Sequence, residues 1–138
     1  YIRQAWPTLG ALRDALRTER NVRKAVLFGS LARGAGEATS DVDVLVELAD
    51  SSLDRVVDLK SKLAEITGRS VDVIRREDAE AEPTLLLEIA SEGRVLIDRD
   101  HRWPDLVRRA TQTRQSARRR QRARTRAALA GIDRMLGA

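Results

Sequence analysis

Hydrophobic and polar positions alternate along the chain in two rhythms, one of helical and one of strand period. After Pro7, with Thr8 as a cap, Leu9, Leu12 and Leu16 return at helical spacing and predict a first helix to about Arg20. The apolar run Lys24 to Phe28 is stopped by Gly29 and followed by Ser-Leu-Ala-Arg-Gly, which predicts a strand passing through a tight turn into a helical turn. From Asp41 to Leu48 the alternation is clean: Val42, Val44 and Val46 fall on one face, and Asp41, Asp43, Leu45 and Glu47 on the other. A helical stripe of Leu53, Val56, Val57, Leu63 and Ala64 follows, opened by Ser51 or Ser52 and closed by Gly68. Ser70 to Ile74 reads as a third strand, Pro83 opens a helix that stops at Gly93, and Val95 to Ile97 reads as a short edge strand. The predicted order is αβαβαβαβ, an α/β (α+β) class.

Beyond Trp103-Pro104 the rhythm changes. No glycine occurs until Gly131, and Arg, Gln and Ala dominate, which predicts one long helix. Its apolar residues sit at the ends, Leu106 and Val107 at one and Leu129, Ile132, Met135 and Leu136 at the other. The middle, Thr111 to Arg126, has no aliphatic residue larger than Ala, so it cannot bury a conventional face; it stands in solvent, touches a partner or frays. Charge divides at the same place. From His101 onward 11 arginines face two aspartates, a balance of +9, against −4 for the first hundred residues. Residues 1–100 are therefore read as the body and 101–138 as a basic helical extension. Three accounts of that extension stay open: a solvated helix, docking on an acidic partner or a second copy of the chain, and contact with nucleic acid. No aromatic residues interleave with its arginines, so base recognition is unsupported. Trp103 is expected to pack the first turn of the tail on the body, and Trp6 to anchor the first helix.

Composition narrows the chemistry. With 42% hydrophobic, 34% charged and 3% aromatic residues the chain is globular with an aliphatic core. No apolar run approaches the ~18 residues of a membrane span, and no secretory signal opens the chain, so a cytoplasmic location is expected. The absence of cysteine excludes disulfides and thiolate metal sites, and a single histidine, His101, excludes a multi-histidine zinc centre. Metal chemistry is left to carboxylates.

Those carboxylates stand where a strand should not want them. Asp41 and Asp43 project to one side, their Cα atoms about 6.7 Å apart along the strand. Their repulsion calls for a proton or a cation, and Mg²⁺ fits: it takes one or two carboxylates together with substrate phosphates. Asp72, flanked by core-facing Val71 and Val73, turns to the same side if the third strand lies beside the second, where it could bind metal and help deprotonate a hydroxyl. Gly29 lets backbone approach a phosphate, Ser30 adds a hydroxyl donor, and Arg33, one turn on, is placed to reach a phosphate or pack back on the turn. The spacing is not that of a Walker A loop.

Gly29-Ser30, ten residues, then Asp41-Val42-Asp43, with Arg33-Gly34 between, resembles the nucleotidyltransferase signature of the DNA polymerase β superfamily. The short length resembles its minimal nucleotidyltransferase (MNT) branch, and the likeness covers about Lys24 to Ile97. The resemblance implies a polymerase β-like fold, a small mixed sheet with flanking helices. It implies ATP or another NTP as donor, two Mg²⁺ ions, and transfer of a nucleoside monophosphate to a hydroxyl with release of pyrophosphate. Gly29 and Ser30 would hold the triphosphate, and Asp41, Asp43 and Asp72 would form the catalytic, metal-binding trio. Minimal members are commonly antitoxins that AMPylate a tyrosine of a HEPN-domain ribonuclease toxin, so a cognate HEPN toxin is the expected partner. An aminoglycoside-type small-molecule nucleotidyltransferase is a second reading, although such enzymes usually carry a further domain that 138 residues barely allow. A non-catalytic module binding toxin or RNA is a third, and the intact trio argues against it. The spacing from Arg94 to His101 imitates the Arg-x4-6-His signature of HEPN ribonucleases, but that signature belongs on a helix, whereas Arg94 falls in a strand-like segment. Base preference, acceptor and oligomeric state are not written in the sequence.

Overall fold

Strand β1 (Val22–Phe28) is the hub of a four-stranded sheet whose order is β3-β2-β1-β4. The computed structural model describes residues 2–34 and 41–137; most of the interval between Gly29-Ser30 and the aspartates, residues 35–40, lies outside the described residues. β1 runs antiparallel to β2 (Val42–Leu48) and to β4 (Arg94–Asp98), while β2 runs parallel to β3 (Val71–Arg75). Helix α3 (Leu53–Thr67) makes the crossover that a parallel pair requires, and Gly68, with φ +64°, ends it in the left-handed conformation. The remaining helices are α1 (Ile2–Thr18), α2 (Gly29–Arg33), α4 (Arg76–Glu80), α5 (Pro83–Glu92) and α6 (Trp103–Gly137).

Helices cover both faces, so β1 is buried along nearly its whole length. One face packs Ala25, Leu27, Val42, Val44 and Val46 against Leu12 and Leu16 of α1 and Leu59 and Leu63 of α3. The other packs Val26, Phe28 and Leu45 against Leu86 and Ile89 of α5 and Leu106 and Ala110 of α6. Each fully buried Leu or Val contributes about 1.5–3 kcal/mol, and no aromatic bulk is needed.

The expected strands and helices are present, with shifted ends. α1 begins at Ile2 rather than at a Thr8 cap, with Pro7 inside its second turn, where the fixed φ is helical but the missing N–H removes one bond. β1 and β4 are longer than their apolar runs, since pairing on the sheet extends them to Val22 and to Arg94–Asp98. The single-turn helix α4 was not expected from the polar stretch Arg76–Glu80. Arg94 lies in β4 and His101 in the link before α6, so the two do not share a helix. Asp98 starts α6: its carboxylate accepts from the Arg102 N–H at 3.1 Å and the Trp103 N–H at 3.0 Å. Trp103 packs against the second core cluster as expected; the side chains of Trp6, Ile132, Met135 and Leu136 lie outside the described residues. Among the described residues no helix is long and apolar enough to cross a membrane.

Candidate active site

β1 ends, and β2 and β3 begin, at one end of the sheet. Phe28 pairs with Asp43 in the antiparallel ladder, and Asp43 pairs with Asp72 in the parallel one. The register therefore sets the Gly29 turn, Asp43 and Asp72 side by side on three adjacent strand ends. Gly29 has φ +77°, a conformation that other residues adopt only under strain, and a Cβ at that position would strike the Asp43 carboxylate, whose Cγ would lie 3.2 Å away. Glycine is required here twice over, by the turn and by the closeness of the acid. Ser30, half-buried, lies in the first turn of α2, whose leading N–H groups have no intrahelical acceptor.

Asp43 is half-buried, and Asp41 and Asp72 are exposed. Burial pushes the Asp43 carboxyl above the ordinary aspartate range, and the charges of Asp72 and then Asp41 push it further. A hydrogen bond with Asp72 and the charge of Glu88 on α5 act in the same direction. The site is an excess of negative charge in search of a cation. Among the described residues no three carboxylates stand closely enough to cage an ion by themselves. That suits Mg²⁺, which takes one or two protein carboxylates and fills its remaining positions with water and phosphate oxygens. The Gly29 turn lies directly against Asp43, with no room for a Cβ between the turn and the acid.

Arg33 reaches back to α5. Its Nη1 donates to Glu92 at 2.8 Å and lies 3.6 Å from Glu88. The hydrogen bond to Glu92 is the first of the causes that raise its pKa, and the field of Asp43 also reaches it. Arg33 thus sits between the site and α5, at 43% side-chain exposure. Sequence reading missed Glu88. Its signal was a lone acid in the apolar run Leu85-Leu86-Leu87-Glu88-Ile89, four residues before Glu92.

A second polar cluster on the same sheet face was also missed. Lys24, 3% exposed, lies 3.3 Å from Glu47, its partner in the β1–β2 register. Arg76 approaches Glu47 at 3.3 Å and donates to Glu80 at 3.0 Å, and Glu80 receives Arg109 of α6 at 3.2 Å. This chain of charges ties β1, β2, α4 and α6 together at the far end of the face from Asp43.

Comparison with known proteins places the chain in a family. The chain is 44% identical over 57 residues to the provisionally named protein adenylyltransferase MJ0435 of Methanocaldococcus jannaschii, a match covering 41% of the chain and 61% of that relative. The chain thus spans about three fifths of that relative's length. It is 35% identical over 69 residues to the protein adenylyltransferase MntA of Thermococcus cleftensis, covering 49% of the chain and 70% of the relative. In fold it is similar to a chain of a toxin-antitoxin crystal structure with AMP-PNP, with TM-score 0.70, 20% identity, and coverage of 88% of this chain and 98% of that one. It is also similar to a chain from the complex of a tri-AMPylated Shewanella oneidensis HEPN toxin with its MNT antitoxin, with TM-score 0.61, 19% identity, and coverage of 91% and 96%. Residues 11–102, which contain the whole Gly29, Asp43 and Asp72 arrangement, match the family described as Polymerase beta, Nucleotidyltransferase, and the chain belongs to that family.

Proposed function

We propose that this nucleotidyltransferase moves AMP from ATP to a tyrosine hydroxyl of a HEPN-domain toxin and acts as that toxin's antitoxin. The observation that carries the reading is the Gly29 turn held against Asp43 with Asp72 in the neighbouring strand. The protein adenylyltransferase names of the sequence relatives support the group transferred, and the toxin-antitoxin complexes with AMP-PNP and with an AMPylated toxin support the donor and partner.

Asp41, Asp43 and Asp72 would hold Mg²⁺, which when bound neutralises the triphosphate and the crowded acids. The backbone at Gly29 and the Ser30 hydroxyl hold the β- and γ-phosphates, leaving the α-phosphorus beside the acids. Asp72, at the exposed edge of the trio, takes the proton of the incoming hydroxyl. The acceptor oxygen then bonds to the α-phosphorus, the bond from that phosphorus to the bridging oxygen breaks, and pyrophosphate leaves. Arg33, at the end of α2 and held by Glu92 of α5, steadies the phosphate side of the cleft.

The test is transfer of label from α-labelled ATP to the co-purified HEPN partner in Mg²⁺, with Asp41→Ala beside the parent. Label on a partner tyrosine from the parent alone is expected. Failure of transfer by the parent, with toxin neutralisation surviving in Asp41→Ala, would leave only a binding role. Label on a small-molecule hydroxyl instead would identify an aminoglycoside-type enzyme.

A further inference from the structure

Helix α6 is 35 residues long, about 52 Å, but among the described residues its buried contacts with the body are confined to its first turns, through Trp103, Leu106 and Ala110. Arg108 and Arg109 in those turns already have carboxylate partners, Asp105 and Glu80. The seven arginines from Arg114 to Arg126 are exposed, and none has a carboxylate partner among the described residues. No Asp or Glu occurs between Leu106 and Ile132.

The arrangement is more specific than its charge. Arg114, Arg118, Arg122 and Arg126 follow one another at i, i+4, a ladder of like charges about 6 Å apart along the axis. Each such pair costs an isolated helix about 0.2–0.5 kcal/mol, so the stripe is stabilised by an anion laid along it. Arg118, Arg122 and Arg126 line a shallow, open depression on this face together with Gln121 and Thr125. Arg120 and Arg124 fall about 200° and 240° round from Arg118, so the opposite flank is cationic as well. An acidic protein surface would neutralise one flank only. A helix that docks on protein also offers apolar anchors at i, i+3, i+4 and i+7, and between Val107 and Leu129 there is no aliphatic side chain larger than Ala. A helix in a nucleic-acid groove meets phosphates on both flanks and needs no apolar anchor.

We infer that the segment Arg114–Arg126 of α6 binds the phosphate backbone of duplex nucleic acid, without reading its sequence. Lack of aromatics for stacking favours a duplex over a single strand. This inference does not depend on the adenylylation reading, since the segment lies outside residues 11–102, the part of the chain that matches the nucleotidyltransferase family.

The experiment is fluorescence anisotropy of a labelled 24-base-pair duplex of arbitrary sequence, titrated with the full chain between about 50 and 200 mM salt. Four to five phosphate contacts give a slope of log K against log salt near about −4. The combined variant R118Q/R122Q/R126Q is expected to lose about 2.7 from the size of that slope and at least ~10-fold in affinity at 100 mM salt. Glutamine keeps helix propensity, so an unchanged circular-dichroism spectrum separates lost charge from lost helix. The control R13Q/R55Q/K60Q removes three charges from the body and is expected to leave binding unchanged. DNA and RNA duplexes run in parallel identify the source of the backbone, and binding of either supports the inference. Equal binding by the tail variant, equal losses in tail and body variants, tenfold preference for a single strand, or polyglutamate held as tightly as duplex would each overturn it; the last would assign the helix to an acidic protein.

Discussion

On one face of β2, Val42, Val44 and Val46 are fully buried against α1 and α3; on the other, Asp43, Leu45 and Glu47 alternate acid, aliphatic, acid. The two acids of that second face make the sharper contrast. Glu47 stands between Lys24 and Arg76, each 3.3 Å away, and resolves into an ion network. Asp43 stands among Asp41, Asp72 and Glu88, no cationic side chain among the described residues is bonded to it, and its carboxyl is pushed up. Two carboxylates on one strand face, four residues apart, are thus treated oppositely. An acid whose charge is answered within the fold serves the fold, and one whose charge is left unanswered is reserved for something that arrives from outside.

Asp43→Asn tests that contrast most strongly. Adenylyl transfer should fall by at least ~10³-fold, about 4 kcal/mol of barrier, while the unliganded protein melts higher than the parent because the repulsion is gone. A stability loss in Asp43→Asn would show that the acid serves the fold after all. Glu47→Ala should do the reverse, costing about 3 kcal/mol by stranding the buried Lys24 ammonium, with the activity of the folded fraction retained. Chemical denaturation read against specific activity separates the two. On the purely aliphatic face, Leu63→Ala should cost about 3 kcal/mol and leave the site's chemistry intact, a plain cavity effect visible as a lower denaturation midpoint at unchanged m. Gly29→Ala carries about 1–2 kcal/mol of backbone strain and forces Asp43 aside, so stability and transfer should fall together.

The smallest expected effect is in pH. The folded state holds the Asp43 proton more tightly than the unfolded chain does, so this group's contribution favours the fold below the ordinary aspartate range. It is lost as pH rises through the raised value. Asp50 and Asp100 act the other way: hydrogen bonds from Ser52 and from Arg23 lower their pKa values, and their contribution is lost as pH falls. Melting curves of parent and Asp43→Asn between about pH 3 and pH 7 without divalent ions should converge at the acid end and separate toward neutrality. Parallel curves would mean that Asp43 carries an ordinary pKa.

The valine alternation around Asp43 and Asp72 made the strands and their acid-bearing side legible, because a period of two fixes the face whatever the strand pairs with. Gly29 was legible as a turn, yet its closeness to Asp43 depends on the pairing of Phe28 with Asp43, which no local pattern encodes. Lys24 and Glu47 carry no local signal that would link them. Only the register that sets them opposite each other, under α4 and α6, makes one a buried ammonium and the other its counterion. Glu88 reaches the site by the docking angle of α5, again a tertiary matter. The short α4 was missed because four charged residues around a single alanine carry no periodicity, and it is held by Arg76–Glu80 and by packing of Ala79.

Helix α6 contains no lysine, and the whole chain has only Lys24, Lys60 and Lys62. Arginine neither loses its proton in the range a protein survives nor undergoes the acylation that silences lysine. The charge of α6 is therefore constant through shifts of cellular pH and through waves of protein acetylation. The field of its arginine stripe can be lessened by an added negative charge or a covering partner, but not by loss of its own protons.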